Sequence, residues 1–298
     1  MARGHDEAAP VTDMRGKVVA ITGANAGIGR ETAVALARMG ATVVMTARDP
    51  ERGAEALADV RARSAGTTVD LLPLDLADLT SVRACADALL ADYERLDVLV
   101  DNAGLVMARR TETTDGFETT FGVNHLGHFA LTTLLLDRLR ASAPARVVVV
   151  ASQAHKMARR GLRFDDLQST RRYRGFDAYS RSKLANLYFT RELARRLAGT
   201  GVTANAAHPG YVASRFGRDG DMRFEPVLRL GATLLAVSAE EGARTSVYLA
   251  SSPEVEGVTG GYYAKCRPAA MSRAALDDVA ARRLWTVSES LLAAAPES

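Results

Sequence analysis

Short runs of β-branched and aliphatic residues alternate along this chain with stretches whose apolar positions recur every three or four residues. Residues 17–22, 42–46, 68–72, 97–100, 146–151, 202–206 and 260–264 read as strands. Between them, 28–39, 51–64, 79–93, 115–140 and 177–197 read as helices, the first ended by Gly40. The run at 146–151 is apolar almost throughout, as a strand covered on both faces requires. The pattern predicts an α/β fold: one doubly wound domain over residues 16–298, with a seven-stranded, mostly parallel sheet and helices on both faces. Residues 1–15 carry charges and no sustained apolar run, and read as a flexible N-terminal tail. No repeat, low-complexity tract or linker divides the rest.

Composition narrows the class. The chain has 298 residues, 47% apolar and 24% charged, ordinary for a soluble globular protein. A formal net charge of +3, with its basic residues spread out, is no nucleic-acid footprint. Cys85 and Cys266 cannot build a disulfide framework and match no metal-ligand spacing, so no metal is expected. No run reaches the roughly 18 apolar residues of a membrane span. The start lacks the apolar core of a signal peptide, and a cytoplasmic location is expected.

Candidate chemistry lies at two places. Gly23, Gly27 and Gly29, in the segment 22–29, follow the first strand and open a helix. Glycines there let the backbone turn tightly and approach a pyrophosphate, whose charge meets the helix N-terminus. The second strand ends in Ala47-Arg48-Asp49, and Arg30 follows the glycine turn. Two guanidiniums near the ribose suit a 2′-phosphate, so NADP(H) is expected over NAD(H). Downstream, Tyr179 and Lys183 stand four residues apart, on one helix face. An ammonium so placed is expected to lower the phenol's pKa from its usual value of about 10, giving a usable proton donor or acceptor. Ser152 ends the fifth strand, where open α/β sheets place ligands.

These motifs resemble the short-chain dehydrogenase/reductase family from about Gly16 to Leu292. The shared features are Thr-Gly-x3-Gly-Ile-Gly at 22–29, Asn-Ala-Gly at 102–104, Asn124 in Val-Asn-His-Leu-Gly-His-Phe, Ser152, Tyr179-x3-Lys183 and His-Pro-Gly at 208–210. The segments 22–29, 124–129, 179–194 and 281–285 are most similar to the retinol dehydrogenase and WW-domain oxidoreductase branch. The resemblance implies a single-domain Rossmann fold and a catalytic set of Asn124, Ser152, Tyr179 and Lys183. Tyr179 would exchange a proton with the substrate oxygen, and Ser152 would hold that oxygen. Lys183 would also bind the nicotinamide ribose, and Asn124, in the long helix, would help hold a water relaying protons to it. Asn25, Ala26 and Ile28 would join the glycines at the cofactor, Asp75 and Leu76 would meet the adenine, and Asn102, Ala103 and Gly104 would line the site. Pro209, Gly210, Val212 and Ser214 would shape the nicotinamide pocket. Asp101 stands where the family commonly has asparagine, and a buried carboxylate there needs a partner or a raised pKa. His155 falls where the branch often has a histidine, which implies a structural role.

Two segments bear on the substrate. Residues 153–178 carry Lys156, Arg159, Arg160, Arg163, Arg171, Arg172 and Arg174, either a rim for an anionic group or a solvated hairpin paired with Asp165, Asp166 and Asp177. Residues 214–237, a lid in the family, are markedly apolar and point to a hydrophobic small-molecule substrate. The reading is an oxidoreductase interconverting an alcohol and a ketone or aldehyde. Alternatives are reduction of an activated C=C bond, a nucleotide-sugar epimerase or dehydratase, and a non-catalytic nucleotide-binding scaffold. Relatives often form homodimers or homotetramers through the two long helices; here Leu131, Leu134, Leu135, Leu184, Leu187 and Tyr188 could be core or interface.

Overall fold

The structure is a computed structural model and describes residues 12–64, 66–210 and 237–295. Its sheet has the order β3-β2-β1-β4-β5-β6-β7-β8. The strands are β1 (Val18–Ile21), β2 (Thr42–Ala47), β3 (Val69–Pro73), β4 (Val98–Asp101), β5 (Ala145–Val150), β6 (Val202–His208), β7 (Tyr262–Ala264) and β8 (Arg267–Pro268). All neighbours pair in parallel except β7 and β8. The eighth strand departs from the expected seven. It is a two-residue antiparallel return, Tyr263 opposite Pro268, too short to leave a periodic signal.

Alternation along the strands divides the interior into two cores. Val18 and Ala20 face one side with Val147 and Val149; Val19 and Ile21 face the other with Val148. The second core is covered by α1 (Gly27–Arg38), α2 (Pro50–Arg63) and α7 (Ala239–Ser251). The first lies beneath α3 (Leu79–Asp92), α5 (His128–Ala141), α6 (Gly175–Arg196) and α8 (Asp278–Ala294). Met14, inside the expected tail, is buried in the second core, and its amide donates to the Met39 carbonyl.

The helix expected over 115–140 is not continuous. A short α4 (Thr119–Phe121), capped by the Glu118 carboxylate, runs into a π-helical stretch, Gly122–Gly127, before α5 begins. Such bulges in a helix occur often at functional sites. Gly127 lets this stretch press on the β3–α3 connection, since a Cβ there would lie 2.6 Å from the Leu76 carbonyl oxygen. Leu131, Leu135, Leu184, Leu187 and Tyr188 prove to be core of this one chain, and Leu134 alone of the suggested interface residues is exposed. Trp285 of α8 packs edge-on against Phe129 of α5 at 4.8 Å and stacks with Phe189 of α6 at 5.9 Å.

Candidate active site

β1 and β4 are neighbours whose chains continue to opposite sides of the sheet, so their carboxyl ends open a crevice where ligands bind in such folds. Gly23 lies there with φ +64°, and a Cβ on it would lie 2.9 Å from the Ala103 Cβ. The close approach of the two turns therefore demands glycine. Gly27 opens α1 with φ +53°. Side chains cap α2, α3, α7 and α8 (Asp49, Asp78, Ser238 and Asp277), whereas α1 has no side-chain cap and no acidic residue in its first turn. Its unspent amides and uncompensated dipole fit the pyrophosphate of a dinucleotide. Asn25, Ala26 and Ile28 are half-buried on this rim, and Gly29 is buried against Asn102.

Thr22 ties the crevice together. Its hydroxyl accepts from the amides of Asn102 (2.8 Å) and Ala103 (2.9 Å) and lies 2.8 Å from His128 Nε2. His128 Nδ1 is 3.3 Å from the Asn124 carbonyl. Burial holds this imidazole neutral, its pKa pushed down to about 3. Nδ1–H can then donate to that carbonyl while Nε2 accepts the threonine proton. The Asn102 side chain closes the loop, donating to the carbonyls of Thr22 (2.7 Å) and Gly23 (3.3 Å). In the sequence, Thr22 and His128 are a polar pair inside two motifs whose evident signal is glycine and asparagine, so spacing gives neither a role.

Tyr179 and Lys183 project from α6 toward the ends of β4 and β5. Lys183 Nζ donates to the Val150 carbonyl (2.8 Å), stands 5.8 Å from the Tyr179 ring centre, and would lie 3.4 Å from a Cβ on Gly104. Burial lowers its pKa to about 8. Tyr179 is buried, and its phenol hydrogen-bonds Ser152. Its pKa is not lowered as expected. Desolvation raises it to about 12, and only the Ser152 hydrogen bond opposes that rise. The physical reason is that the ammonium faces a carbonyl beside the ring, while the ring sits in apolar surroundings.

Asn124 lies in the π-helical stretch with its side chain fully engaged. Oδ1 accepts from the Leu105 amide (2.8 Å), and Nδ2 donates to the Leu105 carbonyl (2.9 Å) and to Ser182 Oγ (2.9 Å). It thereby braces the turn after β4 against α6. His155 plays a similar part: Nδ1 lies 2.6 Å from the Ser152 carbonyl and Nε2 accepts from the Ser272 amide (3.1 Å). Asp101 is fully buried with one partner, the Thr132 hydroxyl (3.0 Å), and burial pushes its pKa up to about 8.

The outer cofactor residues are less uniform. Arg48 is exposed, and Asp49 beside it is spent as the α2 cap, accepting from the Arg52 amide (3.0 Å). Arg30 lies 3.5 Å from Asp59 and 3.8 Å from Glu31, two carboxylates that Arg63 binds more closely. One Asp75 oxygen accepts from the Ala77 amide (2.9 Å), and Leu76 is buried. Pro209 and Gly210 (φ +85°) follow β6 at the same edge. Val212, Ser214 and the lid segment up to residue 236 lie outside the described residues.

The crevice, the glycine cradle and the Tyr–Lys pair are those of a dinucleotide-dependent oxidoreductase, and the chain belongs to the short chain dehydrogenase family, whose sequence profile matches residues 17–164 and 167–221. It lies near the retinol dehydrogenase branch. It is 48% identical over 291 residues to retinol dehydrogenase 14 of Mus musculus, covering 94% of this chain and 86% of that one. To retinol dehydrogenase 12 of Homo sapiens it is 47% identical over 284 residues, covering 93% and 86%. Among solved structures, a protein from Mycobacterium paratuberculosis superposes with a TM-score of 0.76 at 41% identity, over 95% of this chain and 96% of that one. The RhlG/NADP active-site complex from Pseudomonas aeruginosa follows at 0.70 and 28%, over 86% and 96%.

Proposed function

We propose that the protein is an NADP(H)-dependent oxidoreductase that interconverts an alcohol and the ketone or aldehyde of a hydrophobic small molecule. The observation that carries this reading is the convergence of Ser152, Tyr179 and Lys183 beside the uncapped α1 terminus. When bound in the crevice, the dinucleotide would donate or accept the hydride. The Ser152 hydroxyl would hold the substrate oxygen against the Tyr179 phenol. With its pKa near 12 the phenol is protonated at neutral pH and suits donation to a carbonyl, the direction of reduction. Lys183 would stabilise the phenolate left behind and bind the ribose. Asn124, by bracing the β4 turn, would keep Gly104 clear of the Lys183 ammonium.

The preference for NADP(H) is supported by the exposed Arg48 at the end of β2 and by Asp49 being engaged as the α2 cap. RhlG, the Pseudomonas relative, is named in complex with NADP. An apolar alcohol or aldehyde is supported by the apolar lid sequence and by relatives named retinol dehydrogenases. Both cysteines are free thiols, in keeping with a reducing cytoplasm. No helix among the described residues is long and apolar enough to cross a membrane. A dinucleotide titration followed by a carbonyl and alcohol panel tests the reading, with Tyr179→Phe as control. NADPH should bind more tightly than NADH, and Tyr179→Phe should keep that binding while losing turnover by about a thousandfold or more. Retained turnover in Tyr179→Phe would refute the mechanism.

A further inference from the structure

The arginine-rich segment before α6 resolves into two groups. Asp165 takes Arg171 (2.7 Å), and Asp166 is consumed by the amides of Thr170 and Arg171. Asp177 takes the buried Arg181 (2.8 Å) and stands 3.7 Å from Arg163. Among the described residues, Arg172 and Arg174 meet no carboxylate. Both line a cleft of about 150 Å³ together with Arg163 and Asp177. Arg181 binds that carboxylate without lining the cleft, whose walls carry three guanidiniums and one carboxylate. Glu118 is turned inward to the amides of Thr120 and Phe121. Arg174 also ends the turn into a 22-residue helix that has no side-chain cap but carries Asp177 in its first turn.

We infer that Arg163, Arg172 and Arg174 form an anion-binding cleft for a phosphate or carboxylate group. Guanidinium forks match either group in bidentate geometry. An anion there would pin the 153–178 segment to the helix that carries Tyr179. The group can arrive as the charged end of a substrate or as a free ion.

The test is calorimetric titration of the full-length protein with inorganic phosphate at constant ionic strength. It compares wild type with Arg172→Gln/Arg174→Gln and with Arg159→Gln/Arg160→Gln, an equal charge change outside the cleft. Saturable binding is expected in wild type and in the second variant, with Kd raised about tenfold or more in the first, as loss of charged hydrogen bonds implies. No saturable binding in wild type, or equal loss in both variants, would overturn the inference. A keto acid and its methyl ester then separate the sources. Phosphate competing with the acid alone marks a substrate-borne group, and phosphate binding without competition marks a free anion. Turnover of neither compound would count against the proposed function, while the titration would still decide the cleft.

Discussion

Replacing Asp101 with asparagine should change how stability depends on pH. In the folded protein the carboxyl is fully buried, held by one hydroxyl, with Oδ1 lacking a partner, and its pKa is about 8 against an ordinary 3.8. Between those values the folded state keeps a proton that the unfolded chain releases, so stability falls as pH rises through that window. At 1.36 kcal/mol per pH unit, carrying that proton at pH 7 costs about 4 kcal/mol. The amide of the variant would need no proton. Its oxygen can still accept from Thr132, and any cost of the new NH₂ group is the same at every pH. The stability difference between Asp101→Asn and wild type should therefore widen by about 1.4 kcal/mol per unit from pH 5 to 7 and flatten beyond 8. Urea unfolding of both proteins at pH 5, 6, 7 and 8 measures this. Parallel curves would show that Asp101 is not the buried neutral acid described. Turnover at neutral pH should survive the change; a loss beyond tenfold would give Asp101 an active role.

Thr22→Val leaves the amides of Asn102 and Ala103 and the His128 nitrogen without their shared partner, and should cost about 2–3 kcal/mol and weaken dinucleotide binding. Thr22→Ser, which keeps the hydroxyl, should recover most of both in thermal melts and titrations. Because burial brings Lys183 to about 8, its ammonium is lost above that pH, and carbonyl reduction should decline there. The decline should persist in Asp101→Asn, and a pH–rate profile flat to pH 10 would exclude it. Trp285→Ala should destabilise by about 3–5 kcal/mol, read by chemical denaturation.

What the sequence disclosed followed from periodicity and from motifs whose chemistry is local. Apart from Arg146 near its start, β5 is apolar on both faces, so the centre of the sheet is legible in a single run. The Gly23 turn was legible because the close approach it permits leaves no other choice. Three things were hidden, each set by distant partners. The π-helical stretch around Asn124 keeps ordinary helical spacing in sequence, and only its packing on Leu76 and Leu105 marks the change. The Tyr179 phenol was expected to be acidified by Lys183, but burial by elements far along the chain outweighs a neighbour four residues away. Arg30 reads as a free cation until α2 brings Asp59 beside it.

Helix α8 lays Trp285 across α5 and α6 and offers Ser288 to His125 at 2.8 Å. Phe129 of α5 and Phe189 of α6 are thus covered from within the chain. Contacts between copies weaken on dilution by mass action, whereas this seal has the fixed effective concentration of a tethered segment. Damage to it would be felt equally in dilute and concentrated protein. The packing of α5 on α6, the helix that carries Tyr179, is thus held in part by a later segment of the same chain.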